Sequence, residues 1–195
     1  MLGRDALIRQ VVEDLTAGRS VLLYGPQGIG KSAIVSVVSL NGVVVIDPFE
    51  RITRQQASGI RRALDRGTVY LGAARAATRH DLGAVGRILW RFSLVRVREL
   101  SDGVLRHLVA HELGVSEASD LGRDRGWVSA TVTLAKGRPG FATAITRFAV
   151  EWRSRHGYLP APAFAFAAIG EDAALRILQN TSAAHVDERH GKGRL

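Results

Sequence analysis

Apolar positions along the first hundred residues change period several times, and the changes mark out alternating helices and strands. From Asp5 to Ala17, the apolar residues Ala6, Leu7, Val11, Val12 and Leu15 recur at helical spacing, and Gly18 closes the segment. The chain then passes through Ser20-Val21-Leu22-Leu23-Tyr24, a glycine-rich loop and a helix-like stretch from Lys31 to Ser39. Asn41-Gly42 turns it into Val43-Val44-Val45-Ile46-Asp47, a continuous β-branched run of the kind found in buried parallel strands. The pattern goes on to predict an arginine-rich helix over about Thr53–Arg66, a third strand over Thr68–Ala73, a helix near Asp81–Trp90 and a fourth strand around Phe92–Val97. Strands alternating with helices predict an α/β fold with a short parallel sheet of about four strands.

Past Leu100 the pattern becomes helical. Asp102–Glu112 places Val104, Leu105, Leu108 and Val109 on one face, and Trp127–Ala135 and Phe141–Arg153 are two further helices. Leu159-Pro160-Ala161-Pro162 breaks the chain before a last helical stretch over Glu171–Gln179. The expected organisation is an α/β core over 1–100, a helical subdomain over 101–181 and a disordered basic tail over 182–195, with no internal repeat.

A chain of 195 residues, 46% of them apolar, can bury a sizeable core. Without cysteine it has no disulfide and no thiolate metal site. Met1 is followed by Arg4 and Asp5 rather than an apolar signal segment. The most hydrophobic run, Ala33–Ile46, is interrupted by Ser36, Ser39, Asn41 and Gly42 and is too short to cross a bilayer, so the expectation is a cytoplasmic location with no membrane contact. The formal charge of +9 is local, because the interval Arg51–Arg98 holds eleven arginines against Asp65 and Asp81 alone. Such a block either meets nucleic-acid phosphates or forms a solvated helix face. Arginine in place of lysine, beside much alanine and glycine, is also what the coding bias of a GC-rich genome produces.

The residues between the first strand and its helix carry the most specific chemistry. Gly25-Pro26-Gln27-Gly28-Ile29-Gly30-Lys31-Ser32 fits the phosphate-loop pattern G-x-x-x-x-G-K-[ST] at every defined position, in the strand–loop–helix context that the pattern requires. Glycines let successive amides face inward, the following helix points its positive end at the same spot, and Lys31 adds a mobile cation. Lysine occurs only at 31, 136 and 192, which argues against a chance match in a glycine-rich turn. Ser32 is the expected Mg²⁺ ligand, together with Asp47 at the end of an apolar strand, where a carboxylate can organise the ion through its water shell. The alternative for Asp47 is a turn-forming residue before Pro48.

With these motifs in order, residues 2–150 resemble a small P-loop ATPase of the AAA+/STAND superfamily. Gly3-Arg4-Asp5 resembles the short box before the first helix in that family, Gly25–Ser32 its Walker A and the strand ending at Asp47 its Walker B. Leu71-Gly72-Ala73-Ala74-Arg75 resembles the sensor 1 strand, making Arg75 the residue that reads the γ-phosphate. Ala135-Lys136-Gly137-Arg138-Pro139-Gly140 resembles the turn of the helical lid, which offers Arg138 as a nucleotide contact, with Arg147 as its competitor. Arg79, Arg87 and Arg91 lie where such proteins carry an arginine finger. The resemblance implies ATP and Mg²⁺ as ligands, ATP hydrolysis, a homo-oligomer or larger protein partner, and a nucleotide-driven switch or motor, with DNA among its possible substrates. The alternative function is a nucleic-acid-binding adaptor or signalling switch that uses Arg51–Arg98 and hydrolyses little or no ATP.

Two departures qualify the resemblance. Pro48 stands where the family places a glutamate, which leaves Glu50 as the nearest carboxylate to polarise water. One strand and helix are also missing between Lys31 and Val43, and the order of the family then implies strands placed fourth, first, third, second, with the Asp47 strand near an edge that self-association could cover. His107, His111 and Glu112 lack the zinc-protease order, His185 and His190 lack supporting ligands, and Trp127, Phe141, Phe148 and Trp152 are read as packing.

Overall fold

A computed structural model describes residues 3–38, 41–78, 80–115, 122 and 124–170. Two compact units meet in sequence between Arg98 and Glu99. The first holds α1 (Asp5–Thr16), β1 (Ser20–Tyr24), α2 (Lys31–Val38), β2 (Val43–Ile46), α3 (Arg54–Asp65), β3 (Val69–Ala74) and β4 (Phe92–Arg96). All strand pairs are parallel and the sheet order is β2-β3-β1-β4, the order expected from the sequence.

Alternation of side chains along the strands gives the sheet two apolar faces. On one, Val21, Leu23, Leu71 and Ala73 meet Val11 and Leu15 of α1 and Ile34, Val35 and Val38 of α2. On the other, Leu22, Tyr70 and Ala74 meet Ala57, Ile60 and Leu64 of α3. Polar links pin the layers as well. Asp14 accepts both Arg19 Nε (3.0 Å) and Nη2 (2.6 Å) as well as the Ser93 hydroxyl (3.0 Å), and Ser20 Oγ accepts the Tyr70 amide at 3.0 Å. At α3 a capping box forms between Thr53 and Gln56.

The helix expected over Asp81–Trp90 is instead a pair of 3₁₀ turns, Gly83–Arg87 and Leu89–Arg91. Leu82, Val85 and Ile88 are buried at intervals of three, the period at which 3₁₀ side chains eclipse, and the positive φ of Gly83 (51°) opposes an α-helical start.

The second unit holds α4 (Asp102–Glu112), α5 (Arg125–Ala135), α6 (Pro139–His156) and a helical segment over 162–170. Leu105, Val109, Val132, Phe141, Ile145 and Ile169 share its core. Trp127 Nε1 donates to the Pro160 carbonyl at 2.6 Å. Between α5 and α6, Lys136 is left-handed (φ 47°) and Pro139 opens α6. In the same turn, a Cβ on Gly137 would lie 2.5 Å from Glu99 Cβ, while the Gly137 carbonyl accepts the Leu100 amide at 2.9 Å. The helix expected over Glu171–Gln179 and the tail over 182–195 lie outside the described residues.

Candidate nucleotide site

β1 lies inside the sheet, paired on both sides, and delivers the loop at its carboxyl end. Gly25 cannot be replaced without strain, since its φ is 154° and an added Cβ would sit 2.7 Å from the Val97 carbonyl oxygen. Gly28 and Gly30 also take positive φ (77° and 94°), so the backbone coils on itself before Lys31 begins α2. Ile29 plugs the coil into the core and is fully buried. The Ile29 carbonyl accepts Nη2 of Arg4 at 3.2 Å, and Arg4 is itself only 7% exposed. The box before α1 therefore contributes a buried guanidinium that holds the loop from beneath.

Lys31 Nζ donates to the Gly25 carbonyl at 2.6 Å and to the Pro26 carbonyl at 3.0 Å. Burial pushes its pKa below the ordinary 10.5. Glu50, and after it Asp47, raise it again, and Arg75 lowers it. These influences place Lys31, Asp47, Glu50 and Arg75 in one electrostatic neighbourhood at the carboxyl end of the sheet. Asp47 and Arg75 are exposed, Glu50 is half-buried, and Ser32 is exposed in the first turn of α2.

The turn after Asp47 is organised by Phe49, a residue the sequence reading gave no role. Phe49 is fully buried and packs edge-on against Phe92 at 5.2 Å and 77°. Its ring occupies the space where Gly72 lacks a side chain, for a Cβ there would lie 2.7 Å from Phe49 Cδ2 and 2.8 Å from Leu22 Cδ1. With Phe49 anchored, the 3₁₀ turn Phe49–Arg51 brings Glu50 back to the tip of β3, where its carboxylate accepts the Arg75 backbone amide. The glycine at a central strand position was the sequence signal for this close approach.

Of the other expected site residues, Arg138 belongs to the second unit, where it is the N-cap of α6 and its guanidinium lies 4.1 Å above the Phe141 ring. Arg147 pairs with Glu112 at 3.0 Å. Arg91 pairs with Asp65 at 3.0 Å and lies over Trp90, while Arg79 lies outside the described residues. Among the described residues, no cluster of three metal-ligating side chains occurs, and no helix is long and apolar enough to cross a membrane.

A parallel sheet ordered β2-β3-β1-β4, with a glycine loop between β1 and α2 and a helical unit following, defines the P-loop ATPase fold. Solved structures agree. The Thermotoga maritima RuvB Holliday junction branch migration motor aligns at TM-score 0.51 and 12% identity, over 90% of this chain and 68% of that one. A variant of T. maritima RuvB with one arginine changed to alanine aligns at TM-score 0.56 and 12% identity, over 89% of this chain and 72% of that one. No family model and no curated protein sequence matches the chain.

Proposed function

We propose that the chain binds Mg-ATP at the loop Gly25–Ser32 and acts as an AAA+-type nucleotide-driven switch with slow hydrolysis. The convergence of Lys31, Asp47, Glu50 and Arg75 around that loop carries the reading. In it, the backbone N–H groups of Gln27, Gly28, Ile29 and Gly30 and the Lys31 ammonium bind the β- and γ-phosphates, while Gly25, whose N–H is bonded to the Ala74 carbonyl, and Pro26, which has none, set the course of the loop. Ser32 and Asp47, both hard oxygen donors open to solvent, would hold Mg²⁺, which supplies charge neutralisation at the phosphates. Glu50 orients water, and Arg75 senses the γ-phosphate. Residues 1–100 serve as the nucleotide core and 101–181 as a lid in which Arg138 contacts nucleotide.

Slow turnover follows from the surroundings of Glu50. Its carboxylate already accepts the Arg75 amide, and that bond holds it at the tip of β3 and takes up an acceptor site that it would otherwise offer to water. The test is ATP binding and phosphate release by purified protein beside Lys31→Ala and Glu50→Gln. Binding lost in the first and turnover lost in the second, with binding intact, support the reading. Wild-type protein that binds no ATP sinks it.

A second reading rests on the arginines of Arg51–Arg98, which suit a polyanionic partner, and the fold's likeness to a branch migration motor favours nucleic acid as that partner. Self-association, which would cover the open edge of β2, belongs to the same proposal.

A further inference from the structure

On the sheet face opposite α2, a cavity of about 430 Å³ opens between the first two turns of α3 and the Gly83–Arg87 turn. Arg54, Arg61 and Arg87 line its walls, and Ala57, Ala84 and Ile88 provide apolar surface. No acidic side chain lines it. The two acids of this stretch are engaged elsewhere, Asp65 with Arg91 and Asp81 with Thr78. Among the described residues, no acidic group pairs with Arg54, Arg61 or Arg87.

Three cations around one hollow repel each other, and an anion between them turns that cost into attraction. The volume lies in the range of about 300–1,000 Å³ that accepts small organic groups. Guanidinium planes beside an apolar floor also suit the flat face of an unstacked base. A duplex keeps its bases stacked and offers only its backbone, so phosphate and apolar lining together favour a single strand.

We propose that this cavity binds one nucleotide unit of single-stranded nucleic acid, its phosphate on Arg54, Arg61 and Arg87 and its base against Ala57, Ala84 and Ile88. The proposal rests on the nucleic-acid reading of the basic segment and is independent of the phosphate loop.

Fluorescence anisotropy of a labelled dT20 strand, measured over a salt series, tests it. One variant combines Arg54→Gln, Arg61→Gln and Arg87→Gln. A control removes equal charge from the same segment outside the cavity by Arg62→Gln, Arg66→Gln and Arg96→Gln. All six side chains are exposed, and thermal melting with ATP binding checks the fold of each variant. The expected result is a loss of at least tenfold in the cavity variant and under threefold in the control. The log–log salt slope should also fall by about 0.7, as the release of one phosphate on a single strand predicts. Equal losses in the two variants, or equal affinity for a duplex, overturn the cavity while leaving the basic segment as a binder. No wild-type binding at low salt overturns the nucleic-acid reading itself, and the cavity proposal with it.

Discussion

β1 and β2 both end at the candidate site, yet they hold their ends differently. β1 pairs on both sides, with β3 and β4, and its first four residues are buried. β2 pairs only with β3, and Val44 and Val45 are 42% and 40% exposed. The loop after β1 is fixed by Gly25 against Val97 and by Arg4 beneath Ile29. The carboxylates after β2 depend on one ladder and on one ring, Phe49. The candidate phosphate loop is thus built into the centre of the sheet, whereas Asp47 and Glu50 follow its edge strand and are held by one ladder, the Phe49 ring and the Arg75 amide. Under the proposed function, ATP binding should survive damage at β2 that removes turnover.

The strongest way to break this contrast is Phe49→Ala, which removes a fully buried ring and should cost about 3–5 kcal/mol. Denaturant unfolding reads the cost, and any protein that still folds should bind ATP better than it turns it over. Gly25→Ala attacks the other strand's end and should cost about 1–3 kcal/mol through overpacking and positive φ, with nucleotide affinity falling in step. Lys31→Ala should weaken ATP binding by about 1.5–3 kcal/mol, the range for charged hydrogen bonds, as read by calorimetric titration. Wild-type affinity should also fall as pH rises through the depressed pKa of Lys31. Neutral lysine no longer attracts phosphate, and Lys31→Arg, which stays charged, should flatten that fall. The smallest effect is expected from Val45→Lys at the edge, within about 0.5 kcal/mol for the monomer. A loss above 1 kcal/mol that grows with protein concentration would show that a second copy covers β2, and the contrast between the strands would then shrink.

The parts of this arrangement that were legible in the sequence are those in which neighbouring residues act together. The apolar run Val21–Leu23, the loop Gly25–Ser32 and the β-branched run ending at Asp47 each have a local pattern, and the strand order is the one that the family resemblance implied. Arg4 beneath Ile29 and Glu50 on the Arg75 amide join residues 25 apart in sequence through tertiary folding, and no local pattern encodes them. Arg75 drew attention for its side chain, yet its backbone amide makes the contact with Glu50. Asp81–Trp90 misled because buried positions three apart fit a helical period as readily as the 3₁₀ turns they form.

The hydrogen bonds at Val97 and Leu100 have a mechanical consequence. The Val97 amide is bonded to the Tyr24 carbonyl at 2.8 Å and belongs to the sheet, while the Leu100 amide is bonded to Gly137 at 2.9 Å and belongs to the helices. Only Arg98 and Glu99 lie between these two fixed points. The chain therefore passes from one unit to the other through a dipeptide with only four soft torsions. A proline at position 98 or 99 would fix one of these torsions and stiffen the connection.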